Sequence, residues 1–268
     1  MDKRPIGIFD SGLGGLSAVK AVLKYLPEEN IVYFGDTQRV PYGSRSEQTI
    51  EAFAKEDIAF LEKFDCKLIM AACGTVSSVA VQATSQIKEK FVGVVKPSCA
   101  AAVKASKNGR IGVMATAASI NSGSYTKEIQ RLNPNACVSG VSCPVLVTLV
   151  ENNWIDTDDY ISREIIKRYS ATLLADGVDT IILGCTHFPH LAPLIQSVVG
   201  DNITLIDSGY EAVMEAKRIL SENRMSNISG KGEARYFVSD KIQNFSSMAN
   251  TLLGIDISDQ VEYRNITE

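Results

Sequence analysis

Lys67-Leu68-Ile69-Met70-Ala71-Ala72-Cys73-Gly74-Thr75 and Asp179-Thr180-Ile181-Ile182-Leu183-Gly184-Cys185-Thr186-His187 are matching passages from different halves of a 268-residue chain. Each runs through a short apolar stretch and ends at a cysteine with a helix start following. Such runs read as strands buried on both faces. Similar runs recur at 6–9, 31–34, 91–95, 111–115, 136–141 and 204–206, beside the two quoted at 68–72 and 180–183. Amphipathic stretches lie between them, at 48–64, 119–132, 158–175 and 209–222. This alternation predicts α/β architecture with parallel sheets built by right-handed crossovers. Beyond Glu222 the pattern weakens: 223–232 reads as loop, 235–238 as a further strand and 245–253 as a closing helix.

Composition narrows the class. A 45% hydrophobic and 22% charged chain is that of a soluble globular protein. The net charge of −4, with no local Lys/Arg cluster, predicts no nucleic-acid partner. Apolar runs are strand-sized, far below the roughly 20 residues that span a bilayer, so no membrane segment is expected. A strand pattern beginning within five residues leaves no room for a signal peptide, and the expected location is cytoplasmic. The six cysteines are therefore expected to be reduced. Without a Cys-x-x-Cys pair, and with His187 and His190 as the only histidines, no metal is expected. Cys66, Cys99, Cys137 and Cys143 read as small, inert side chains.

The chain also echoes itself. Phe9-Asp10-Ser11-Gly12 pairs with Ile206-Asp207-Ser208-Gly209, and Cys73-Gly74-Thr75 with Cys185-Thr186-His187. Short strings coincide by chance, but placement at equivalent strand-to-helix junctions predicts two similar α/β domains related by pseudo-symmetry. We place the first at 1–96 plus 208–268 and the second at 97–207. The site is expected in the cleft between them, beyond the carboxyl ends of the strands.

Three segments carry chemistry-bearing residues. Asp10-Ser11-Gly12-Leu13-Gly14-Gly15 lacks the dinucleotide spacing and a Walker lysine. Asp10 would repel phosphate but suits an ammonium group, or could polarise a nearby thiol, while Ser11 and the amides after it suit a carboxylate. A plain helix cap is the competing reading. In Gly35–Gly43, Pro41 and Gly43 bracket Tyr42 in a turn expected to aim amides and a phenol hydroxyl at the cleft rim; a structural turn serves the spacing equally well. The strand-end cysteines are expected at helix N-termini that favour their thiolates. Two such thiols facing one another could remove and return a proton on opposite faces of one carbon. His187, two residues from Cys185, is a proton partner for it. A cysteine hydrolase would also use Cys185 and His187 but would leave Cys73 without a task.

On these motifs, together with Leu183-Gly184-Cys185-Thr186-His187-Phe188-Pro189 and Leu149-Val150-Glu151, the chain resembles the glutamate racemases of the cofactor-independent aspartate/glutamate racemase superfamily. The resemblance runs from about Pro5 to Gly209. It implies Cys73 and Cys185 as acid/base thiols, serving D- and L-glutamate respectively. Asp10 would assist Cys73, and His187 with Glu151 would assist Cys185. Ser11, Pro41, Tyr42, Gly43, Gly74, Thr75, Thr116 and Thr186 would line the substrate site. It further implies no cofactor, a cell-wall role in supplying D-glutamate for peptidoglycan, and a possible homodimer. Gly74 departs from the family's usual asparagine, which removes one polar contact and would widen the pocket. A racemase of another acidic amino acid such as aspartate, or a non-catalytic amino-acid-binding paralogue, are the alternatives.

Overall fold

In the computed structural model, which describes residues 1–87 and 90–266, every strand pairing is parallel. Strands β1 (Ile6–Asp10), β2 (Ile31–Gly35), β3 (Leu68–Ala71) and β4 (Lys90–Gly93) come first. Then follow β5 (Arg110–Ala115), β6 (Cys137–Ser142), β7 (Thr180–Leu183), β8 (Thr204–Asp207), β9 (Ala234–Val238) and β10 (Val261–Tyr263). One sheet has the order β10-β9-β2-β1-β3-β4, the other β6-β5-β7-β8. The inner strands β1, β3 and β7 are buried throughout, because helices cover both faces of each sheet.

The orders β2-β1-β3-β4 and β6-β5-β7-β8 are the same topology twice. Cys73 follows β3 and Cys185 follows β7, the third strand of each repeat. The Asp-Ser-Gly echo does not share this equivalence. Asp10 ends β1, a first strand, whereas Asp207 ends β8, a fourth strand. Asp207 caps the helix Ser208–Glu222 by accepting from the Gly209 and Tyr210 amides, so that pairing is a convergent turn and not a trace of the repeat.

Two other details differ from the sequence pattern. The stretch 119–132 is two helices, Ala117–Ser122 and Ser124–Leu132, because Gly123 sits at φ +66° between them. The short edge strand β10 lies beyond the last expected element.

Lys67, immediately before β3, is 1% exposed. Its ammonium lies 2.5 Å from Glu29 Oε2 as an ion pair and donates to the Asp2 and Met225 carbonyls at 2.7 and 2.8 Å. Removing one member of a buried pair strands the other. Lys67→Met is therefore expected to destabilise the fold by about 3–5 kcal/mol. Chemical denaturation checks this; a loss below about 1 kcal/mol would mean that water replaces the ammonium.

Candidate active site

Cys73 and Cys185 border one cavity of about 250 Å³ between the two sheets. Both are buried and free of disulfides. From the larger sheet's side come Ser11, Pro41, Tyr42, Gly43, Gly74 and Thr75. Thr116, Glu151, Thr186 and His187 come from the other. Asp10 stands behind this wall and is fully buried.

Asp10 does not cap the helix Leu16–Tyr25, whose cap position is Gly15 and carries no side-chain bond. Its Oδ2 instead accepts from the Gly12 amide at 3.0 Å and its Oδ1 from the Thr186 hydroxyl at 3.2 Å. The second bond crosses between the halves and places a carboxylate next to both thiol neighbourhoods.

Cys73 Sγ donates to Ser11 Oγ at 3.8 Å. Burial, and then the Asp10 charge, push its thiol up to about 12, against the opposing Val76 amide and Ser11 hydroxyl. The expected lowering at a helix N-terminus is thus reversed. The helix it caps, Gly74–Val79, has six residues, and so short a dipole does not offset desolvation beside a carboxylate. These influences favour the protonated form of the Cys73 thiol. Asp10→Asn removes the adjacent charge and is expected to lower the pH at which Cys73 becomes alkylatable, followed by site-resolved mass spectrometry. An unmoved midpoint would assign the whole shift to burial.

Cys185, unlike Cys73, is not at an α-helix start. A turn and the 3-10 segment Phe188–Leu191 intervene before the helix Ala192–Val199. Its partner is His187, whose Nδ1 lies 3.7 Å from the sulfur. His187 Nε2 is 3.4 Å from Glu151 Oε1, an ion-pair separation without an aligned hydrogen bond. Burial alone would lower this imidazole, but Cys185, Glu151 and Asp10 together raise it to about 10. The raised imidazole sits directly against the Cys185 sulfur. His190 takes no part: burial, aided by the His187 and Lys20 charges, lowers it to about 3.

The remaining hydroxyls pair across the cleft. Thr75 Oγ1 and Thr116 Oγ1 are 2.9 Å apart, and Thr116 donates onward to Ser119 Oγ at 3.0 Å. Tyr42 departs from expectation. Its phenol is 1% exposed and turned away from the rim, bonded to Asp36 and to Asp57 Oδ2, the latter at 3.1 Å. Arg39 closes this network through Asp36 at 2.5 Å and Asp57 at 3.2 Å. Ser239, just past β9, donates to Asp36 at 2.8 Å. The hydroxyl thus locks the Pro41-Tyr42-Gly43 turn in place from behind and does not reach into the cavity. Burial, and then the Asp36 charge, raise Asp57 well above the usual carboxylate range, which keeps two close carboxyls from being charged together.

Most of one wall escaped the sequence reading. Pro144, Val147 and Thr148 border the cavity beside the expected Glu151, all from the helix Pro144–Glu151. Their i, i+3, i+4, i+7 spacing after a helix-starting proline is the signal that reveals such a face. Nor does Gly74 widen the pocket, because a Cβ built there would overlap the Gly184 carbonyl oxygen.

Among the described residues no helix is long and apolar enough to cross a membrane, and no cluster of three or more His, Cys, Asp or Glu is suited to hold a metal.

The duplicated parallel α/β unit thus places a thiol after the third strand of each copy, and both border one cavity. The Asp/Glu/Hydantoin racemase family profile matches residues 11–216, and the chain belongs to that family. It is 40% identical over 258 residues to a protein named glutamate racemase from Neisseria meningitidis, covering 94% of this chain and 93% of that one. Among solved structures, the glutamate racemase isoform RacE1 from Bacillus anthracis superposes with a TM-score of 0.94 at 33% identity, covering 98% of each chain. The glutamate racemase from Francisella tularensis, solved with D-glutamate, gives 0.91 at 32% identity, covering 99% of each chain.

Proposed function

We propose that this enzyme interconverts L- and D-glutamate without a cofactor, with Cys73 and Cys185 as acid/base groups on opposite faces of the substrate Cα. The observation that carries this reading is the meeting of two buried thiols, one after each third strand, at a single small cavity. Their unequal settings support it further: burial and the Asp10 charge favour the protonated Cys73 thiol, while Cys185 lies 3.7 Å from His187 Nδ1.

The α-proton of an amino acid is very weakly acidic, so the site must orient the substrate, exclude water and offset the carbanion's charge. In one direction the Cys185 thiolate takes the proton from Cα, leaving a planar carbanion. The Cys73 thiol then delivers its own proton to the opposite face. The enzyme leaves the turnover with the thiol and thiolate exchanged, which is the state required for the reverse reaction. The Thr75, Thr116 and Ser11 hydroxyls and the Tyr42 and Gly43 amides would hold the carboxylates.

The choice of glutamate rests on the relatives' names and on the D-glutamate bound to the Francisella tularensis protein. With it come a cytoplasmic location and a role in supplying D-glutamate for peptidoglycan. We read 1–96 plus 208–268 and 97–207 as the two lobes. This division is supported by the strands, since those of the larger sheet fall in the first set and those of the smaller in the second.

Polarimetric assay of both enantiomers of glutamate and aspartate tests the substrate. A methylene fitted to a pocket is worth about 10–200-fold in kcat/KM. Glutamate is expected to win by that margin; a preference for aspartate would overturn the assignment of substrate.

A further inference from the structure

Gly74 follows Cys73 and Gly184 precedes Cys185, and their backbones meet at the cavity. A Cβ at residue 74 would overlap the Gly184 carbonyl oxygen, and would stand 3.2 Å from its carbon and 3.6 Å from the Cys185 Cα. Both sides are held in place by hydrogen bonds. The Gly184 carbonyl accepts from the hydroxyl of buried Tyr125 at 3.2 Å, and the Gly184 amide donates to the Met114 carbonyl at 2.8 Å. On the other side Gly74 is the first residue of its helix, and its carbonyl accepts from Ser78 Oγ at 2.7 Å.

We propose that Gly74 is a spacer: by admitting the Gly184 carbonyl where a side chain would stand, it sets the separation of the Cys73 and Cys185 thiols. A larger residue must push the two halves apart at the floor of the cleft, where the thiols lie. Its effect therefore falls on proton transfer, and so on kcat, because the error is one of distance between acid and base. This differs from a missing polar contact, which would be felt in KM and would be cured by restoring an amide side chain. The inference rests on the two-thiol reading above.

The test compares wild type, Gly74→Ala, Gly74→Asn and Gly74→Ala/Tyr125→Phe. Readouts are kcat and KM in both directions, and the yield of Cys73–Cys185 cross-link formed by dibromoacetone, a short bis-alkylating reagent. Displacing acid and base by a side-chain width is expected to lower kcat for Gly74→Ala on the order of 100-fold, with a smaller change in KM. The cross-link yield should fall in parallel. Tyr125→Phe frees the Gly184 carbonyl to retreat and should restore part of both. A Gly74→Ala kcat within twofold of wild type would overturn the proposal, as would an improved kcat/KM in Gly74→Asn. Thermal midpoints check folding; if Gly74→Ala does not fold, absence of the cross-link in wild type is enough to overturn the proposal. A wild type that cross-links but does not racemise glutamate would refute the proposed substrate and leave the spacer standing.

Discussion

Cys73→Ser and Cys185→Ser are each expected to abolish racemisation of glutamate, lowering it by at least about 10²–10⁴-fold, while crippling the two directions in different ways. A serine hydroxyl is far too weak an acid to replace a thiol on either side of the carbanion. Cys73→Ser, however, leaves Cys185, His187 and Glu151 intact. That variant should still exchange the α-proton of L-glutamate with solvent, because the carbanion forms and is reprotonated from the face it left. Cys185→Ser should keep only the corresponding exchange of D-glutamate. Proton NMR in deuterated buffer separates the two. Full racemisation by either variant would remove one thiol from the mechanism, and loss of both exchanges in both variants would indicate structural damage.

His187→Asn is expected to lower the direction in which Cys185 is the base by about 10²–10⁴-fold, and the other direction less. The imidazolium stands 3.7 Å from the Cys185 sulfur and has no counterpart beside Cys73, whose hydrogen-bond partner is Ser11. The same residue gives a stability signature. Its folded pKa of about 10 exceeds the unfolded value of about 6.5. The stabilisation is therefore fully present below about pH 6.5 and is lost as pH rises toward 10. The thermal midpoint of wild type should fall more steeply across that window than that of His187→Asn. Parallel curves would mean that His187 is neutral in the resting enzyme.

The fold was largely legible because its signals are local. Apolar runs of four to six residues, punctuated by turns and alternating with amphipathic stretches, mark parallel strands whatever their partners. Strand order was not legible from the short echoes alone: Asp10 and Asp207 look alike in sequence yet end a first and a fourth strand. The site divided along the same line. That Cys73, Cys185 and His187 share one cavity was readable, because each stands just past a strand end where such sites form. The direction of the Cys73 shift was not, since it depends on Asp10 arriving from another strand and on burial. Tyr42 misled for a similar reason: its neighbours in sequence form a turn, but its hydroxyl is claimed by Asp57, fifteen residues away. The Gly74 departure suggested a missing contact and an enlarged pocket, whereas the opposing Gly184 backbone fills that space.

The two-base mechanism is tested most directly by running the wild-type reaction in deuterated water from each enantiomer of glutamate and following Cα by proton NMR at early conversion. The product enantiomer should carry solvent deuterium from its first appearance, while unreacted substrate keeps its proton, in both directions and with no added cofactor. Product that retains the substrate's own proton would mean that a single base serves both faces, and the facing thiols would not be the pair that carries the reaction.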